Sequence, residues 1–403
     1  MDSNKLNQND DLGNCRVKFA VNLETLSEKI SSEMKNGWDS VKKLEKEFDF
    51  FVPEIYRPPN NSTILETNPQ LSAVRDDLED WISDSYGTFV TQKYGDKLAN
   101  QAVSCVPRLF PRYPVASTEF QVLCYFFIMG VILDDYSTDR GDEEGANKKQ
   151  YSEMGSNTVA ELFEATAGND VIDTKHLTTK AMDMKVFKEH PFLISIGNSM
   201  KEIFIILQTL NGNLTLDKLW SGYKLNLLKT SESARWTFRN ENMGKLDAFS
   251  EDTCRYFRTS ATGFTDTMCY IRMLEGIELP QIISGHPVFI RWHDIGEKLA
   301  GILNNLLGLQ KDLLLGEGEA IFLYKLRKGT LLSHAVDEEL QLLRDSVNDY
   351  RELRRYVLTE FGEKYGRISD YVKFMDNILH GSIYVFRDSI KYGMTEQIWV
   401  DYE

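Results

Sequence analysis

Apolar residues recur at helical spacing along most of this chain. Positions 69–86, 117–135, 193–210, 216–231, 247–275, 286–315, 334–361 and 369–390 each carry a 3.6-residue period and are predicted helices. Strict alternation is scarce, and no glycine-rich strand–turn–helix signature occurs. The pattern predicts an all-α fold, a single-domain helical bundle over residues 48–403. Polar positions mark out the rest. Residues 1–47 form an N-terminal extension, expected to be partly helical or disordered, with one weakly amphipathic stretch at 22–46. The aromatic, proline-bearing run FDFFVPEIYRPPN then introduces the globular part. Residues 140–182, polar and rich in Gly and Asn, interrupt the helices as an enlarged surface loop.

Composition narrows the function classes. With 42% hydrophobic and 11% aromatic residues, the chain can bury a large core. A formal net charge of −15 argues against a nucleic-acid partner. It also means that an anionic substrate must be held by metal ions and a few local cations. Five cysteines without a Cys-x-x-Cys pair suit a reduced protein with neither disulfide frame nor zinc site. Apolar runs such as FIIL at 204–207 are too short to span a bilayer. The N-terminus reads as neither signal peptide nor transit peptide, so a soluble, cytoplasmic protein is expected.

Two constellations carry chemistry. In FQVLCYFFIMGVILDDYSTD, an apolar helix ends on Asp134, Asp135 and Asp139. Asp135 and Asp139 are i, i+4 and share a face, with Asp134 beside them. Carboxylates gathered at an apolar helix end repel one another unless a cation neutralises them, and magnesium suits an oxygen set that also meets phosphate. An acidic helix end facing water is the structural alternative. Asp76, Asp77 and Asp80 form another aspartate cluster, spaced DDxxD, but in a polar helix that reads as a solvated face. The second constellation lies in GILNNLLGLQKDLLL, where Asn304, Gly308 and Asp312 stand at i, i+4 and i+8 in one row. An amide in so apolar a run needs a partner. A mid-helix glycine gives up about 1 kcal/mol against alanine, which suggests that space is wanted there. Lys311 can reach a phosphate oxygen as a point charge.

Taken together, these segments resemble the class I terpene synthases (the isoprenoid synthase fold), in particular microbial-type single-domain cyclases and their coral relatives. DDYSTD is similar to that family's aspartate-rich motif in its DDxxxD form, and N304 to D312 resembles its second metal motif. Arg258 stands 46 residues before Asn304, at the offset of the family's diphosphate-sensing arginine, with Arg255 as a rival. GSIYVFRDSIKY, ending on Lys391 and Tyr392, resembles the family's C-terminal Arg-Tyr segment, and FVPEIYRPP and RLFPRYPVAS match upstream segments. Gly308 replaces a Ser or Thr ligand, Asp312 a commoner Glu, Lys391 an Arg, and Asn305 an Asp. The resemblance implies an effector-type helix break after Arg258, at Thr262 or Gly263.

It also implies a lyase that ionises a linear prenyl diphosphate and cyclises the carbocation, releasing diphosphate. The implied metal ligands are Asp134, Asp135, Asp139, Asn304, Gly308 (through a water) and Asp312, for three Mg²⁺ ions with Mn²⁺ as a substitute. Arg258, Lys311, Lys391 and Tyr392 would hold diphosphate. Phe127, Val131, Thr262, Gly263, Tyr384 and Phe386 are the pocket candidates, the aromatics stabilising migrating charge. Geranylgeranyl diphosphate is favoured as substrate, on the coral-type resemblance and small residues such as Gly130 and Gly301, with farnesyl diphosphate as the alternative. A chain-elongating synthase lacks its downstream aspartate motif here, and a non-catalytic lipid-binding scaffold leaves the Asn304/Asp312 row unexplained. Homodimers are common among such enzymes.

Overall fold

The computed structural model describes residues 15–20, 47–52, 69–137, 192–211, 249–315, 321–388 and 398–400, with isolated helical positions between 223 and 233. The stretch 22–46 and the loop 140–182 lie outside the described residues. The chain divides into two compact units. One comprises residues 62–245 and 260–280, the other residues 1–61, 246–259 and 281–403.

In the first unit, α1 (Pro69–Tyr86), α2 (Gln92–Leu109), α3 (Thr118–Ser137), α4 (Phe192–Asn211) and α6 (Phe264–Glu275) pack around an aromatic core. Trp81 stacks on Tyr125 at 4.2 Å between ring centroids and donates its indole N–H to Glu202 at 2.9 Å. Phe126 stacks on Tyr270 at 3.8 Å, and the buried Tyr270 hydroxyl donates to the Val122 carbonyl. Trp81 and Tyr270 thus keep their polar tips satisfied. The helix α2 was not among the expected helices, although its buried Leu98, Ala99, Ala102, Cys105, Val106 and Leu109 recur at helical spacing. Thr91 caps its first turn through the Tyr94 amide, and Gly95 lets it approach Ile82, whose Cγ2 lies 3.2 Å from where a Cβ would stand. Asp76, Asp77 and Asp80 are exposed on α1, and Arg75 pairs with Asp76 at 2.6 Å, as a solvated face requires.

In the second unit, α5 (Glu251–Ser260, of which Ser260 already counts with the first unit), α7 (Gln281–Ser284), α8 (Pro287–Leu315), α9 (Ile321–Arg327), α10 (Leu332–Val357) and α11 (Arg367–Asp388) supply the helices. A π-helical turn, Leu358–Gly362, follows α10. Helix α8 packs along α10 and α11. At that seam Trp292 is fully buried, with Phe289, Tyr350 and Tyr371 at 5.5, 5.8 and 6.2 Å between centroids. The buried Tyr350 hydroxyl donates to Asp376, which Arg354 clamps at 2.8 and 2.7 Å.

Beside this helical architecture stands a small antiparallel sheet that the periodicity did not foresee. Its strands β1 (Cys15–Ala20), β2 (Glu47–Val52) and β3 (Ile398–Val400) run in the order β2-β1-β3. Val17 sits opposite both Phe50 and Ile398, and Val17 is buried while Arg16 and Lys18 are exposed. The described part of residues 1–46 is thus a strand, β1, and it belongs to the unit that also holds residues 246–259 and 281–403. Strands of three to six residues joined across most of the chain leave too little local pattern to read.

Candidate active site

Helix α8 carries Asn304, Gly308 and Asp312 one turn apart. Asp312 is 1% exposed, Gly308 is buried and Asn304 is half-buried. A Cβ added at 308 would meet Asn304 Oδ1 at 3.3 Å and both Asp312 carboxylate oxygens at 3.7 Å. The glycine thus leaves a gap bordered by three oxygens. That hard donor set fits a magnesium ion, with water in the remaining positions. Among the described residues no group of three or more His, Cys, Asp or Glu gathers for a metal, so this set is one carboxylate and one amide.

Arg258, in the last turn of α5 and 3% exposed, lies over that row. Its Nη2 is 3.2 Å from Asp312 Oδ2 and 3.4 Å from Asn304 Oδ1, and its Nε is 3.4 Å from Asn305 Oδ1. Arg255 faces elsewhere: it forms a two-pronged pair with Glu339 and a third contact with Glu251. Between the rival arginines, only Arg258 is thus placed on the Asn304/Asp312 row. Lys311 is buried with its Nζ 3.5 Å from Asp312 Oδ1. Asn305, flagged in the sequence only as a departure, is 1% exposed and supplies an uncharged oxygen to Arg258.

Arg258 owes its position to a tight helix contact. A Cβ at Gly301 would stand 2.5 Å from Thr259 Oγ1 and 3.0 Å from Thr259 Cα. Gly301 therefore serves the approach of α5 to α8, which corrects its expected role as spare space for a large substrate. We expect Gly301→Ala to cost about 1–3 kcal/mol by overpacking. It should also lower catalytic efficiency, because Arg258 moves with α5. Denaturant unfolding beside steady-state kinetics checks both, and unchanged stability would show that the two helices can part freely.

After Ser260 the chain breaks helix for three residues and resumes at Phe264. Gly263 adopts φ +70°, a left-handed conformation that glycine takes without strain, and its carbonyl accepts from the Thr267 amide at 3.0 Å. Between Thr262 and Gly263, the left-handed turn is at Gly263.

The first constellation is described in its backbone alone: α3 runs to Ser137, so Asp134 and Asp135 lie in its last turn. Asp139, Lys391 and Tyr392 lie outside the described residues. On α3, Phe127 and Val131 are half-buried and Gly130 is exposed with open space around it, while Cys124, Ile128 and Ile132 are fully buried. Phe127, Gly130, Val131 and Asp134 follow i, i+3, i+4, i+7 spacing and share one helix face. Tyr384 and Phe386 are both buried on α11. Two residues apart, they leave that helix about 200° from each other, so one wall cannot take both. Arg387 lies 4.9 Å above the Tyr384 ring and His380 packs 5.3 Å from it edge-on. A small apolar cavity of about 10 Å³ lined by Phe126, Met200, Tyr270 and Met273 holds no more than one water and no prenyl chain.

No family model matches this sequence, and no curated protein matches it. Solved structures do. A linalool/nerolidol synthase from Streptomyces clavuligerus, in complex with 2-fluorogeranyl diphosphate, aligns with TM-score 0.58 at 13% identity over 84% of this chain and 99% of that one. An α-eudesmol synthase aligns with TM-score 0.57 at 15% identity over 83% and 98%, respectively. A germacradien-4-ol synthase from Streptomyces citricolor aligns with TM-score 0.56 at 13% identity over 80% and 94%. The fold is that of the class I terpene synthases. These terpene synthases are spanned almost end to end, so the likeness covers the whole fold and not a shared helical hairpin. No described helix of this chain is long and apolar enough to cross a membrane.

Proposed function

We propose that this chain is a class I terpene synthase, with residues 48–403 acting as one catalytic domain in the cytoplasm. In this reading it ionises a linear prenyl diphosphate, cyclises the carbocation and releases diphosphate. The observation that carries the proposal is Arg258 over the oxygen-bordered gap at Gly308, on a fold shared with a synthase that binds 2-fluorogeranyl diphosphate.

Magnesium, when bound, supplies positive charge that stabilises the leaving diphosphate. The residues that would hold it are Asn304 and Asp312 on α8, together with Asp134, Asp135 and Asp139 from the aspartate-rich motif. Arg258 donates N–H groups to diphosphate oxygens in the planar, two-pronged manner of a guanidinium. Lys311 adds a compact charge one residue before Asp312, and Lys391 and Tyr392 add donors from the C-terminal segment. As the C–O bond breaks, the electron pair stays on the diphosphate oxygen, and these donors stabilise that charge more than they stabilise the substrate. Phe127 and Val131 supply apolar surface, which keeps water from quenching the cation to an alcohol.

Geranylgeranyl diphosphate is our first substrate and farnesyl diphosphate the second. The contact of Thr259 with Gly301 supports the second, because of the two small residues named for a large substrate Gly130 alone has open space around it. Incubating the protein with geranyl, farnesyl and geranylgeranyl diphosphates, with Mg²⁺ or EDTA, and extracting into hexane for mass spectrometry tests the reading. A cyclic product that depends on Mg²⁺ supports it and sets the chain length. Intact substrate in every tube rejects it, and longer diphosphates formed with isopentenyl diphosphate reassign it to chain elongation.

Gly308→Ser brings a hydroxyl into the gap beside Asn304. We expect Mn²⁺, followed by paramagnetic resonance, to bind about threefold more tightly, since an oxygen ligand replaces an exchanging water. Looser binding would show the gap too narrow for a side chain.

A further inference from the structure

The geometry points to Glu339 as a positioning residue for Arg258, acting through Arg255. The inference rests on the reading of Arg258 as a diphosphate ligand and extends it to a residue remote from that chemistry. Glu339, on α10, is 0% exposed, and its two carboxylate oxygens meet Arg255 at 2.7 and 2.6 Å. Arg255 is 9% exposed and takes a third contact from Glu251 at 2.8 Å. Lys325 of α9, 4% exposed, closes the cluster: it lies 3.1 Å from Glu251 and 3.9 Å from Glu339, and it pairs with Glu338. Three helices thus share one ionic cluster, of which Arg255, Lys325 and Glu339 are buried while Glu251 and Glu338 reach the surface.

A buried carboxylate on a guanidinium is a demanding arrangement, because both charges have left water. Both burial and pairing act on Arg255. Burial alone would lower the affinity of its guanidinium for the proton, yet Glu339 and Glu251 more than offset that and raise it. The Arg255 guanidinium therefore stays charged, and its two-pronged contact with Glu339 fixes α5 at Arg255. Arg258 lies three residues on, about one turn along the same short helix. The next residue, Thr259, abuts Gly301. With α5 held at residue 255 by Glu339 and at 259 by α8, the Arg258 guanidinium has little freedom to leave the Asn304/Asp312 row except by rotating its own side chain. Glu339 thereby fixes where the diphosphate-binding N–H groups stand, without touching substrate.

Two measurements test this together. Calorimetric titration of inorganic pyrophosphate in Mg²⁺ is made on wild type, Glu339→Gln, Arg258→Ala and the double variant, and hydrogen exchange is followed at the α5 amides. We expect Glu339→Gln to weaken pyrophosphate binding about tenfold in the wild-type background and to have no further effect once Arg258 is alanine, since coupled residues do not add. Exchange should rise in α5 beyond any rise in α10. Equal weakening in both backgrounds would mean a general loss of structure and overturn the proposal, as would unchanged exchange in α5. Should Glu339→Gln fail to fold, Glu251→Gln removes the half-exposed partner of the same guanidinium. It should weaken binding in the same direction by about threefold, since half-exposed pairs contribute less, and an unchanged affinity overturns the proposal equally. A wild-type protein that ignores pyrophosphate would reject the assigned function, while the exchange result would still decide whether Glu339 holds α5.

Discussion

Asp312→Asn is expected to remove nearly all turnover, about a thousandfold in kcat/KM. Losing one preorganised group that stabilises charge on the leaving group costs about 3–4 kcal/mol in the transition state, and each 1.4 kcal/mol is tenfold in rate. Asp312 has two roles that share this charge. Among the described residues it is the carboxylate that borders the Gly308 gap, and it anchors Arg258 at 3.2 Å. Asparagine keeps the shape and one oxygen, so folding should survive while both roles weaken. Steady-state release of pyrophosphate measures the loss, with the thermal midpoint as the control. Activity within tenfold of wild type would place the chemistry elsewhere.

The second large effect concerns stability. Trp292→Ala should cost about 3–5 kcal/mol, the range for emptying a large aromatic site in a core. Trp292 is fully buried with Phe289, Tyr350 and Tyr371 around it, and these rings come from α8, α10 and α11, so no single helix can shift to refill the space. Equilibrium denaturation followed by fluorescence and circular dichroism gives the value. A loss under about 1 kcal/mol would mean that the seam relaxes around the cavity, contrary to close packing.

Long, periodic helices were legible in the sequence. The stretches 69–86, 286–315 and 369–390 match α1, α8 and α11 within two residues, because an apolar stripe buried against neighbours dictates both period and extent. Short or weakly apolar elements were not. The helix α2 carries small residues such as Ala99, Ala102 and Cys105 on its buried face, and α9 has only seven residues. Of the site, the row on α8 was readable since spacing alone puts Asn304, Gly308 and Asp312 on one face. What spacing could not give was the direction of each guanidinium. Arg255 and Arg258 differ by less than one turn, and only the placement of Glu339 and Asp312 on other helices separates them. The closeness of Thr259 to Gly301 was equally hidden, because a glycine serves an open cavity and a tight crossing alike.

The sheet β2-β1-β3 has a consequence for the order of assembly. β1 can pair with β2 across a connection of about 26 residues, but its other edge must wait for β3, about 380 residues further along. Closing so long a loop costs conformational entropy that grows only with the logarithm of length, yet such non-local pairings form slowly. During synthesis β1 therefore spends most of its time with one edge unmet, and the ladder through Val17 and Ile398 is completed only once nearly all the helices have left the ribosome.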